Sequence, residues 1–137
     1  MSHQESDVWS KRRLWAGRVI SALPVLMLTM SASMKLMRGP EMVKGFVEQF
    51  GYPESVIVPL GVVELACALL YAIPQTSVLG AILITGYLGG AIATHVRVGD
   101  GFVPVVVLGV LVWAGLFLRD SRLRALLPLR KLADSKA

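Results

Sequence analysis

The sequence predicts an all-α protein: a bundle of four transmembrane helices with a short amphipathic interfacial helix between spans one and two. Three observations carry that expectation. Of the 137 residues 55% are hydrophobic and the mean hydropathy is +0.65, too apolar for an ordinary soluble domain, and the length suits a single domain. The apolar residues fall into four blocks, each close to the roughly 20 residues needed to cross roughly 30 Å of hydrocarbon. The net charge of +5 comes from basic residues that gather at the chain ends and beside the apolar blocks, a distribution that reads as membrane topology and not as a nucleic-acid surface. A soluble enzyme is therefore not expected. The single cysteine, Cys67, excludes an internal disulfide, a CxxC dithiol relay and a four-cysteine metal site.

Residues 1–13 read as a polar, basic N-terminal tail that ends in Lys11-Arg12-Arg13, and residues 14–37 read as span one. A basic head followed by an apolar run and the small Ser31-Ala32-Ser33 also resembles a cleaved signal peptide. The run is long for such a segment and three more apolar blocks follow, so an uncleaved span is expected. Pro24 frees the carbonyl of Ile20 and should bend this span. Gly39-Pro40 opens the interfacial segment, with Val43, Phe46, Val47 and Phe50 on one face and Glu41, Lys44 and Glu48 on the other. Too short to span, it reads as an amphipathic helix lying in the interface, ended by Gly51 and the Tyr52-Pro53 turn.

Residues 56–73 form span two, and the tight Pro74-Gln75-Thr76 turn makes residues 77–98, span three, its antiparallel neighbour. After a Gly99-Asp100-Gly101 turn, residues 102–118 form a slightly short span four with Pro104 in its first turn. The membrane domain is thus residues 14–118, and residues 119–137 are a basic C-terminal tail whose leucines and arginines suit anionic headgroups. Beside the spans, Lys11, Arg12, Arg13, Arg18, Arg119, Arg122, Arg124, Arg130, Lys131 and Lys136 fall on one side, against Lys35, Arg38, Lys44 and Arg97 on the other. By the positive-inside rule both termini are cytoplasmic in a multi-pass protein of the inner (plasma) membrane.

Ionisable groups within hydrocarbon cost roughly 2.5–3.5 kcal/mol each on insertion scales, so those present are the best clues to function. Lys35, Glu64 and His95 all fall in the outer half of their spans, and with Arg97 and Ser31, one turn before Lys35, they are candidates for one polar cluster facing the bundle interior. Glu64, the deepest, should pair with Lys35 or His95 or else carry a proton. Such a cluster serves either as a ligand site or as a structural pair that fixes helix register. His95 does not suggest a metal centre, because the only other histidine is His3 in the polar tail. Cys67 shares the face of Glu64 and reads as a small packing residue. Gly86 and Gly90 form a GxxxG that reads first as close packing within the monomer and second as a homodimer face. Trp9, Trp15, Tyr52, Tyr71 and Trp113 read as interfacial anchors, with Trp113 placed deeper.

The order of Lys35-Leu36, Gly61 with Glu64-Leu65, the Pro74 turn, Gly90-Ala91 with His95, Gly99-Asp100-Gly101 and Arg119 resembles the DoxX-like family of small four-helix membrane proteins over residues 31–119. The family is named for a membrane subunit associated with an archaeal thiosulfate:quinone oxidoreductase. Other bacterial members look linked to oxidative-stress and thiol systems, and similar animal proteins act as receptor-assembly chaperones. The resemblance implies Lys35, Glu64 and His95 as the matched polar positions, and it favours a redox-associated accessory whose cluster binds a quinone or another small lipophile. No resident cofactor is expected otherwise. The alternative is a non-catalytic scaffold or assembly chaperone with a structural cluster, and the partners expected are the lipid bilayer, a protein partner or a second copy, and no nucleic acid.

Overall fold

The computed structural model describes residues 3–126, and the elements among them are all helical. Helix α1 (His3–Leu36) is 34 residues long and begins well before the apolar run. No glycine or proline occurs between His3 and Ala16, so nothing breaks the helix there, and the part of the basic tail from His3 onward forms its first turns. The helix also runs unbroken through Pro24, whose ring is fully buried. It ends where Arg38 adopts φ +50°, and the N–H of Arg38 donates to the Lys35 carbonyl at 3.2 Å.

The interfacial segment forms a short helix, α2 (Pro40–Lys44), which widens into a π-helical turn over Gly45–Gln49. Gly51, at φ +69°, reverses the chain in a conformation that costs glycine little. A 3₁₀ turn (Glu54–Val56) leads into α3 (Ile57–Ala72). The Thr76 hydroxyl donates to the Leu70 carbonyl at 2.7 Å, tightening the Pro74 turn before α4 (Ser77–Arg97). Helix α5 (Val103–Arg119) carries Pro104 in its first turn, where a missing N–H costs nothing. A short α6 (Ser121–Leu126) follows Asp120, whose Oδ1 accepts the N–H of Arg122 at 2.9 Å. The remainder of the expected basic tail, including Arg130, Lys131 and Lys136, lies outside the described residues.

Three helical stretches, Ser6–Leu36, Glu54–Ala72 and Pro74–Arg97, are long and apolar enough to cross a membrane, while Val103–Arg119 is a shorter apolar helix. Helix α1 packs most extensively on α3 and α5, and α4 closes the ring against those same two helices. The core between them is built from Leu28, Cys67, Ala68, Tyr71, Ala81, Ile84, Leu88, Leu108, Val112 and Leu116. Outward positions are apolar as well: Leu26, Val62, Ile82 and Val110 are all more than half exposed. An apolar outside with an apolar inside suits a lipid solvent.

One aromatic expected as an interfacial anchor, near the end of its span, is turned into the bundle. Tyr71 is fully buried, and its hydroxyl donates to the Val112 carbonyl at 2.7 Å and bonds Ser21 Oγ at 3.0 Å. A phenol can enter the core because the core supplies both partners. Trp113 instead bonds Thr85 Oγ1 through its indole N–H at 2.8 Å.

Candidate functional site

Helix periodicity puts Ser31 and Lys35 one turn apart on the same face of α1. Helix α3 brings Glu64 to meet them. Lys35 Nζ donates to Glu64 Oε2 at 2.8 Å and to Ser31 Oγ at 2.6 Å. Lys35 is 6% and Glu64 3% exposed, so each charge would be costly alone and together they are balanced. Gly61, one turn before Glu64, permits the approach: a Cβ there would lie 2.9 Å from Lys35 Cβ and 3.2 Å from the Ala32 carbonyl oxygen.

The pair opens onto a partly enclosed cavity of about 740 Å³ bounded by α1, α3, α4, α5 and the interfacial segment. Its walls are mainly apolar, with Met27, Leu28, Met42, Val105 and Leu108 among them, together with Phe46 of the π-helical turn and Phe50 just after it. Its polar groups are Ser31, Lys35, Glu64, Tyr52, Tyr87, Thr94 and His95. The Tyr87 hydroxyl neighbours the Glu64 carboxylate. Lys35 Nζ also stands 5.8 Å from the Phe46 ring centroid, a cation–π contact that ties the segment to the ion pair.

Gly86 and Gly90 line this cavity, and a Cβ at either would meet nothing within 4 Å. The expectation that they pack helices within the monomer is therefore corrected. That role belongs to Gly80, where a Cβ would fall 2.3 Å from the Tyr71 amide nitrogen, and to Gly115, where it would fall 2.9 Å from that of Ser21. A GxxxG reports small residues on one face but not what stands opposite them.

The five expected site residues separate into two groups. Ser31, Lys35 and Glu64 form the buried pair. His95 reaches the cavity from the end of α4, where its Nδ1 lies 2.7 Å from the Ala91 carbonyl oxygen, its ring 5.2 Å from that of Phe50 and its Nε2 3.9 Å from Asp100 Oδ2. Arg97 is exposed on the rim, bonds the Phe50 carbonyl and stacks 5.5 Å from the Tyr52 ring centroid. Tyr52 Oη to Thr94 Oγ1 at 2.9 Å and Gln49 Nε2 to Asp100 Oδ2 at 3.1 Å complete a clasp holding the interfacial segment over the cavity. On the other side Arg38 pairs with Glu54.

Tyr87 is the site residue that the sequence reading missed. It precedes His95 by two helical turns on the same face of α4, so the periodicity that placed His95 also places Tyr87. A phenol in an apolar run carries less weight than a charge, so only its position relative to His95 could have marked it.

The helical fold, the apolar exterior and a charge-balanced pair at the wall of an internal cavity define a small membrane protein with a lipophilic pocket. The model of the DoxX-like family matches residues 19–116, a stretch that contains the ion pair, Tyr87, His95 and Arg97. The chain belongs to the DoxX-like family. Comparison with curated proteins and with solved structures gives no match.

Proposed function

We propose that this protein binds a neutral, hydrogen-bond-accepting lipophile of the quinone type in its cavity, as an accessory to redox chemistry in the inner membrane. The observation that supports this reading is the balanced Lys35–Glu64 pair at the wall of an apolar cavity of about 740 Å³. That volume lies in the range of small-molecule sites. A charged ligand would bring an uncompensated charge into a low-dielectric space already neutral overall, whereas a carbonyl oxygen brings none. An ammonium has three N–H donors, and Glu64 and Ser31 take two of those on Lys35. The third is suited to a ligand oxygen, while the Tyr87 hydroxyl stands beside Glu64. A quinone supplies two such oxygens and a reducible ring. The protein's part is to orient the head group at Lys35 and shield it with Phe46 and Phe50, while open space beside Gly86 and Gly90 admits bulk that a larger side chain would exclude.

The same reading counts α5 as a fourth span, since its 17 residues stand at the lower end of what crosses hydrocarbon, and it places both termini in the cytoplasm. A reporter enzyme fused after Ala137 that is active only outside the cytoplasm would overturn the orientation.

Binding is tested with the full chain in lipid nanodiscs, titrated with a short-chain ubiquinone analogue and, separately, with a fatty-acid anion, reading quenching of tryptophan fluorescence. Saturable quenching by the quinone, absent with the anion and lost in Gly90→Leu, is expected. Saturable binding unchanged by Gly90→Leu, or none in the parent chain, sinks the proposal.

A further inference from the structure

A second hollow, of about 320 Å³, lies at the opposite end of the bundle, between the first turns of α1 and the junction of α5 with α6. Arg13, Arg119 and Arg124 line it, from three different helices, and none of the described residues lining it is a carboxylate; nearby Asp120 is engaged with Arg122. Two of these arginines are held by backbone. Arg119 Nη2 donates to the Tyr71 carbonyl at 3.0 Å and its guanidinium lies 4.8 Å from the Tyr71 ring centroid, while its buried Nε has no hydrogen-bond partner among the described residues. Arg124 Nη1 donates to the carbonyls of Phe117 at 2.8 Å and Leu118 at 3.1 Å. Each guanidinium has five N–H donors, so donors remain on both after these bonds. Ser10 and Ser121 add hydroxyls at the same hollow.

Three guanidinium groups around one concavity repel one another until an anion joins them, and their planar forks match phosphate oxygens. We propose that this hollow binds the phosphate of an anionic phospholipid headgroup. The lipid source follows from position. Leu14 and Leu118 share the rim with the arginines, at the levels where the apolar stretches of α1 and α5 begin and end. Trp9, 57% exposed, stands beside them as interfacial tryptophans do. The hollow thus spans headgroup and hydrocarbon, as one phospholipid does. This site is independent of the cavity at Lys35.

The test uses the full chain in nanodiscs of phosphatidylcholine alone and of phosphatidylcholine with phosphatidylglycerol, reading co-purified lipid by native mass spectrometry and the melting temperature. The parent chain is expected to retain phosphatidylglycerol preferentially and to melt higher in its presence. Arg13→Gln, at an exposed position that makes neither of the backbone anchors, should weaken that preference about fivefold, the worth of one basic residue near an anionic surface, and should not lower melting in pure phosphatidylcholine, where one fewer guanidinium eases their mutual repulsion. Arg13→Lys, which keeps the charge without the fork, should fall between. Equal phosphatidylglycerol retention by Arg13→Gln and the parent overturns the site. Inorganic phosphate in detergent raising the melting temperature as far as phosphatidylglycerol does, at matched ionic strength, overturns the lipid source.

Discussion

At the end of the bundle that holds Tyr71, the helices meet backbone to backbone; at the end that holds Lys35, a cavity opens beside the close contact of α1 and α3 at Gly61. Gly80 and Gly115 belong to the first end, where an added Cβ would strike a neighbouring main chain, and Gly86 and Gly90 to the second, where it would strike nothing. Polar residues divide the same way. Tyr71 and Arg119 spend hydrogen bonds on main-chain carbonyls of other elements, which locks helices together, whereas Lys35 and Glu64 bond side chain to side chain at a cavity wall. A small bundle can therefore hold an open end only because the other is closed tightly. Stability and binding should be separable by position.

The largest effect should come from the open end's ion pair. Glu64→Gln leaves a buried ammonium without its counter-charge, and a loss of about 3–5 kcal/mol of folding free energy is expected. Unfolding in bicelles should show the Lys35→Met, Glu64→Gln double variant recovering much of that loss, because both charges leave together. If the double variant also keeps quinone binding, the pair is structural alone and the ligand reading loses its anchor.

Next, Gly80→Ala at the closed end should cost about 3 kcal/mol, since the contact is with the Tyr71 backbone, which cannot rotate aside. Retention of the parent's unfolding free energy would break the account of that end. Tyr71→Phe tests the same end more gently. Loss of the hydroxyl that joins Ser21 and Val112 should cost about 1–3 kcal/mol by the same measurement, since Ser21 is left with less than its full set of partners.

How much of this was legible in the sequence follows from where the physics is local. That Glu64 needs Lys35, His95 or a proton was legible because a charge in an apolar block must find a partner, though which one it takes was not, and the turn at Pro74 was legible from residue type and spacing. The cavity was not, because emptiness beside Gly86 and Gly90 depends on what other helices place opposite, and GxxxG is silent on that. Nor did spacing tell that His95 and Arg97 turn towards the interfacial segment: Arg97 is held by the Phe50 carbonyl, a main-chain atom whose position only the fold determines. That Tyr71 turns inward at the end of its span was hidden for the same reason, its partner being the Val112 carbonyl.

Outside the spans, Asp120 offers a smaller test at the closed end. Burial raises its carboxyl pKa, but the N–H groups of Arg122 and Leu123 and the Arg122 guanidinium outweigh that and hold it below the ordinary value. A depressed folded value stabilises the ionised fold above the ordinary carboxylate range, and this contribution disappears as the pH falls through the folded value. Asp120→Ala should thus cost about 1 kcal/mol at neutral pH, and the gap to the parent chain should narrow on acidification. A gap constant with pH would mean that the charge does not matter to the α5–α6 junction.

The smallest effect is the most discriminating, because its sign is opposite. Gly86→Ala adds a methyl group to an α-helix where nothing lies within 4 Å, and removing a glycine from a helix interior is worth about 0.5–1 kcal/mol of added stability. Gly86 is exposed, so the methyl meets no neighbour and stability should rise. A protein packed for stability alone would not keep a glycine there. Were Gly86→Ala to destabilise the fold in bicelles, an unseen helix contact would have to cover that face, and a second copy of the chain seated on the GxxxG would become the better explanation of it.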